Sequence, residues 1–180
     1  MKPLTLSRLL LPIYVGAESP TATLDSGPIF RLTTNLPAAS IGNKCLGIPY
    51  AEKPQRFSRA TKPESWTRPL NATVFGLYVN NSLSKVRSTY SNDCSTQSRE
   101  SEDCLFINAF ALADPHPSRA VLMFISGGGW EQGNGEISLN GFAAYEDIAV
   151  ISFNCRTNDS PDASVSDINL GIYGQQLALE

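Results

Sequence analysis

Histidine occurs once in the 180 residues, as His116, and none of the four cysteines forms a C-x-x-C pair. Those two shortages exclude the common zinc sets and leave at most one imidazole base. Charge is also scarce, at 17% of residues with a net charge of -3, and no Lys/Arg cluster is present. A nucleic-acid partner is therefore excluded. No apolar run reaches the ~18 residues of a membrane span. There is no internal repeat, no low-complexity tract, and no G-x-S-x-G sequence anywhere in the chain.

What is present is enough for one core. Hydrophobic residues make up 42% of the chain, which suits a globular domain of this length. The opening "MKPLTLSRLLLPIYVGAESP" has Lys2 and Arg8 ahead of a short apolar run and small residues at 15–17. It resembles a secretory signal over residues 1–17, with the domain occupying 18–180. Three N-x-[ST] triplets, at Asn71, Asn80 and Asn158, are glycosylation candidates on that route. Cys94 and Cys104 flank the polar loop "STQSRESED". In a secreted protein they are candidates for a disulfide, worth up to about 3 kcal/mol in the chain-entropy model. Cys45 and Cys155 lie in apolar strand-like runs and read as buried thiols.

The first part of the chain reads as hairpins, with "GPIFRLTT" and "GNKCLGI" between turn residues. Residues 49–76 are proline-rich and aperiodic, an extended segment anchored by Phe57 and Trp66. Residues 80–103 read as a polar loop. "CLFINAF" is a strand, and "AVLMFIS" and "IAVISFN" are continuous apolar runs of the kind seen in buried strands. "NGFAAYED" reads as a short helix between those two strands. "SDINLGIYGQQLALE" has helical spacing, with Ile168, Ile172 and Leu179 on one face and Leu177 nearby. Buried strands alternating with helices imply an α/β fold with an at least partly parallel sheet.

The stretch "FISGGGWEQGNG", 124–135, carries the chemistry. It contains no G-x-G-x-x-G, so it is not a dinucleotide fingerprint. Gly128 and Gly133 have phosphate-loop spacing, but Asn134 stands where lysine is required. Glycines after a strand can also turn backbone N–H groups toward a developing oxyanion. The residues alone leave that reading and a plain glycine-rich turn both open.

The flanking segments resemble the carboxylesterase type B family, the cholinesterase and lipase relatives within the α/β-hydrolase fold, and most of all its secreted fungal members. "KCLGIPYAE", "RFSRATKPESW", "NATVFG", "SEDCLFIN", "FAAYEDIAVISFNCR" and "NLGIYGQQLALE" follow the family's motifs in order from about Thr21 onward. The resemblance implies the N-terminal part of an α/β-hydrolase: a β-hairpin region plus part of the central mixed, mostly parallel sheet. It further implies that the N–H groups of Gly128 and Gly129 are oxyanion donors, that Cys104 belongs to a family disulfide, and that the family reaction is ester hydrolysis by serine. No cofactor and no metal are implied, and the partner would be a small-molecule ester if a full-length form exists. Oligomeric state is left open.

The departures matter as much. Nucleophile, acid and histidine of the family triad are absent, so no catalytic residue is assigned and the chain is expected to be inactive alone. A dyad of Ser126 with His116 is excluded by the roughly 25–30 Å that about ten residues of strand would span. The short piece the family carries after its N-Y-R motif is missing after Asn158. Gly174 replaces the family's aspartate partner of Arg156, so Arg156 is expected either to suffer buried isolation or to turn outward. Cys45 replaces an aromatic and is expected to leave space in the core. A non-catalytic cholinesterase-like binding protein, or an incomplete or decayed gene product, is the alternative reading.

Overall fold

The structure is a computed structural model that describes residues 21–36, 39–55, 58–77, 101–113, 118–127, 134–156 and 170–179. The N-terminal residues 1–20, Phe57, Asn80, Cys94, His116, Gly128, Gly129, Asn158 and Ile168 lie outside these.

The expected hairpins are present. β1 (Thr21–Leu24) turns through Asp25 and Ser26 into antiparallel β2 (Gly27–Phe30). β3 (Leu32–Leu36) pairs antiparallel with the eleven-residue β4 (Ala39–Pro49). Among its described residues the proline-rich segment contributes one strand, β5 (Leu70–Asn71), parallel to β2, which closes a small sheet of order β1-β2-β5, and a bridge from Thr73 to Leu46. Trp66 anchors this segment as expected. Its indole Nε1 donates to the Pro28 carbonyl at 2.7 Å, and its ring packs with Ile29, Ile48 and Ala72.

The main sheet is completed by β6 (Phe106–Leu112), β7 (Val121–Phe124) and β8 (Ala149–Phe153), in the order β3-β4-β6-β8-β7. β6 runs antiparallel to β4 and β8, whereas β7 and β8 are parallel. The parallel pair requires a crossover, and α1 (Asn140–Tyr145) lies within it. α2 (Leu170–Leu179) follows β8.

Side-chain alternation covers both faces of this sheet. Phe110 and Val150, paired across β6 and β8, pack with Leu46 and with Ala143 of α1. The alternate positions Ile107 and Phe153, also paired, belong with Tyr50, Leu105, Cys104 and Met123, and α2 adds Leu177 and Ala178 there. Fully burying a large apolar side chain is worth about 1.5–3 kcal/mol. Phe110 and Phe153, each 1% exposed, are therefore central to cohesion.

Two expectations require correction. "AVLMFIS" is not a strand covered on both faces: Val121 is 63% exposed and Ile125 53%. β7 is the outer strand and pairs only with β8 among the described strands, so apolarity of the run does not report its depth in the sheet. In α2, Ile172 is 50% exposed and Leu179 69%, while Leu170, Gly171 and Gly174 are buried. The helix turns both glycines to the core, and at Gly171 another stretch of backbone comes close. A Cβ on Gly171 would lie 2.6 Å from the Arg156 carbonyl oxygen.

Candidate functional site

The glycine-rich segment joins the carboxyl end of β7 to Gly135. In open α/β sheets, ligand sites form outside the carboxyl ends of parallel strands. Ser126 and Gly127 leave β7 two and three residues past Phe124, whose ladder partner is Ser152 of β8. A Cβ on Gly127 would meet nothing within 4 Å.

The segment's far end is clamped. The Gly135 N–H donates to Asn154 Oδ1 at 2.6 Å. The Gly135 carbonyl accepts from Ser152 Oγ at 2.8 Å and from Asn108 Nδ2 at 3.1 Å. Asn108 and Ser152 face each other across β6 and β8, on the side occupied by Phe110 and Val150. They are 2% and 0% exposed, and a buried polar pair of this kind persists only when its hydrogen bonds are made. Gly135 is also held by shape, since a Cβ there would lie 2.7 Å from the Phe153 backbone.

The clamp extends outward. The Asn154 amide donates to the Leu77 carbonyl at 2.8 Å, and the Asn154 carbonyl accepts from Tyr50 Oη at 2.6 Å. Asn108 Oδ1 accepts from the Gly47 N–H at 2.8 Å. Gly47 has φ +66° and sits where the β4–β6 register shifts, so its N–H leaves the ladder for the asparagine. Two asparagines and a serine thus tie β4, β6, β8 and the glycine segment together. Asn134, which blocked the phosphate-loop reading, accepts the Glu136 N–H at 3.0 Å through its own Oδ1 and closes a local turn.

The clamp residues were not foreseen as site residues. Asn108 and Asn154 lie inside the quoted "SEDCLFIN" and "SFNCR" motifs, and Ser152 interrupts the apolar run "IAVISFN". A polar residue at a core position of a strand was the available signal.

Gly128 and Gly129 lie outside the described residues, as does His116. Ser126 is half-buried beyond the end of β7. Ser152 is no substitute nucleophile, because its hydroxyl is committed to the Gly135 carbonyl. Asn71 is exposed and its Oδ1 accepts from Thr73 Oγ1 at 2.6 Å, whereas Asn80 and Asn158 lie outside the described residues. Among the described residues no cluster of His, Cys, Asp and Glu could hold a metal ion.

Beside the clamp lies a second polar group. Cys104 is a buried, unbridged thiol, and burial pushes it up to about 12. Cys45 and Cys155 are free and half-buried rather than fully buried, and burial raises both. Cys45 packs against Ile29, Ile48 and Ala72. Tyr50, whose ring meets Phe153 edge-on at 6.2 Å, is likewise raised by burial. Arg156 does not turn outward. It is 9% exposed, and burial lowers its pKa, opposed by the nearby Cys104, Tyr50 and Glu102.

A profile described as the carboxylesterase family matches residues 24–180. Over 151 residues the chain is 32% identical to the para-nitrobenzyl esterase of Bacillus subtilis (strain 168), covering 77% of this chain and 30% of that protein. It is 32% identical over 155 residues to the acetylcholinesterase of Danio rerio, covering 75% and 24% respectively. Among solved structures, a thermophilic PNB esterase superposes with a TM-score of 0.75 at 30% identity, over 89% of this chain and 34% of that one. The chain thus spans about a third or less of the length of these relatives. It has the mixed-sheet architecture of part of an α/β-hydrolase, and it belongs to the carboxylesterase family.

Proposed function

We propose that this chain supplies the oxyanion-binding segment of a serine carboxylic ester hydrolase and does not turn over esters by itself. The observation that supports it is the clamp on Gly135 at the carboxyl ends of β7 and β8. A glycine segment held at a strand end can keep N–H groups aimed at one point, so stabilising an oxyanion costs no reorganisation during reaction. Gly128 and Gly129 are the proposed donors. The nucleophile, acid and base of such a reaction have no counterpart in the 180 residues. Small carboxylic esters are the proposed substrate class, by family membership.

The full chain is expected to show no hydrolysis of short p-nitrophenyl esters above a boiled control. Turnover that disappears with Ser126→Ala would defeat this half of the proposal. The oxyanion role is tested by grafting residues 101–156 into the para-nitrobenzyl esterase in place of its matching segment. Gly128→Pro or Gly129→Pro in an active graft removes one N–H, and kcat should fall roughly 10²–10³-fold with KM little changed. An unchanged kcat in both variants would refute the role.

Passage through the secretory pathway belongs to the same proposal, with a signal over 1–17 and glycosylation at Asn71, Asn80 and Asn158. Exposure of the Asn71 side chain supports it. The same proposal includes a Cys94–Cys104 bridge formed in an oxidising compartment. Non-reducing peptide mapping should recover that pair, and Cys104 joined to Cys45 would contradict it.

A further inference from the structure

The triplet Asn71-Ala72-Thr73 lies at the seam between the two sheets. Leu70 and Asn71 pair with Ile29 and Phe30 of β2, and the Ala72 N–H donates to the Phe30 carbonyl at 2.9 Å. The Ala72 carbonyl accepts from the Leu46 N–H of β4 at 2.9 Å, and Thr73 bridges to Leu46. Ala72 itself is 0% exposed and packs with Ile29 and Ile48. Both backbone groups of the central residue are therefore committed, one to each sheet. Buried bonds of this kind are costly to break without replacement.

The asparagine beside it is exposed. Its Oδ1 accepts from Thr73 Oγ1 at 2.6 Å and from the Thr73 N–H at 3.2 Å, so its amide nitrogen Nδ2 is left without a hydrogen bond to the described residues. N-glycosylation uses that nitrogen. Nδ2 attacks the anomeric carbon of a lipid-pyrophosphate-linked oligosaccharide. A C–N bond forms, the C–O bond to pyrophosphate breaks, the lipid pyrophosphate leaves, and Nδ2 gives one proton to the transferase. The transferase also reads the hydroxyl two residues on, so it must grip Asn71, Ala72 and Thr73 together. In the fold the Thr73 hydroxyl is taken by Asn71, and the Ala72 backbone by β2 and β4. The folded surface exposes the side chain that bears a glycan, yet withholds the triplet from the enzyme that attaches one.

Resting on the secretory reading above, we propose that Asn71 is glycosylated only before residues 70–73 dock between β2 and β4, so that folding itself closes the site. Occupancy of Asn71 is then set by a race between the transferase and the docking of this seam. Once docked, the triplet opens only by local unfolding.

The full chain is synthesised with microsomes present, once with its own N-terminus and once with residues 1–17 exchanged for a cleavable signal. Asn71 is read by peptide mapping after enzymatic deglycosylation in heavy-oxygen water. Behind the exchanged signal Asn71 should be modified, and Thr73→Ala should abolish that modification. Modification there, while the natural N-terminus fails to enter, upholds the glycosylation and sinks the signal over 1–17. The unglycosylated full chain, folded and purified, is then offered to oligosaccharyltransferase with a lipid-linked oligosaccharide, beside a peptide of residues 66–77. The peptide should react at least about tenfold faster than the chain, because the chain must first open locally. Ile29→Ala, which loosens the packing against Ala72, should narrow that gap. Equal rates for folded chain and peptide would overturn the proposal, as would an Asn71 left bare both in the microsomes and in the peptide.

Discussion

Asn154 is joined, through its side chain and its backbone carbonyl, to three other parts of the chain near the glycine segment. It accepts from Gly135, donates to Leu77 and offers its carbonyl to Tyr50. Asn154→Ala leaves the buried Gly135 N–H unpaired and should cost about 1–3 kcal/mol, the range for orphaning a buried polar group. Ser152→Ala should cost less, because Asn108 still donates to the Gly135 carbonyl. Urea midpoints of the two variants check the order, and a larger loss for Ser152→Ala would show that the N–H side of the clamp is not the stronger one. Cys104 supplies a pH dependence in the reduced chain. Its pKa is raised in the fold to about 12, against about 8.5 unfolded. Above the unfolded value the unfolded chain binds fewer protons than the native one, so stability falls as pH rises. The loss should begin near pH 9 at up to about 1.4 kcal/mol per pH unit. Cys104→Ala should reduce that alkaline slope, to which the raised Cys45, Cys155 and Tyr50 also contribute, and an unchanged slope would assign it to those groups.

The elements differ in how directly they could be read. The hairpins, the short helix of residues 140–145 and the parallel pair β7–β8 follow from turn residues, apolar runs and the crossover rule. The helix of residues 170–179 also follows, but its buried side does not. Apolar spacing points to Ile172 and Leu179, whereas the buried side carries Gly174 and Gly171, the latter against the Arg156 carbonyl oxygen. β4 shows the same limit. Its bulge depends on Gly47 at φ +66°, with the Val74 carbonyl oxygen 2.5 Å from where a Cβ would lie. Gly47→Ala should therefore destabilise by more than the about 1–2 kcal/mol of a left-handed conformation alone. Thermal unfolding of the variant measures this, and a loss under 1 kcal/mol would mean that the bulge relaxes.

At the scale of the whole molecule the open side of the sheet dominates. β7 is an outer strand among the described strands, Val121 in it and Ile125 just past its end are exposed, and Phe142 and Tyr145 of α1 are half or more exposed. Outer strands with apolar side chains template association. The 180-residue chain is expected to self-associate in a concentration-dependent way on sedimentation velocity, and to bind ANS. Val121→Lys with Ile125→Lys should shift the distribution toward monomer with little loss of stability, since both positions are already exposed. Association unchanged by the two lysines would place the sticky surface elsewhere. The relatives, more than twice as long, have further chain with which to cover such a sheet.

Family and fold class were legible in the linear text. Ordered motifs such as "SEDCLFIN" and "GGGW" are local strings, and strand, turn and helix tendencies are local as well. The absence of G-x-S-x-G from these 180 residues is equally a property of the string. Depth, pairing and satisfaction were decided only by the tertiary structure. Nothing near Asn108 in sequence says that it bonds residues 27 positions ahead and 61 behind. Nothing near Arg156 says that its Nε and Nη2 are buried and unpaired rather than turned to water. Those outcomes depend on which distant backbones arrive within hydrogen-bonding reach, and burial then makes each met or unmet partner count for more than it would in water.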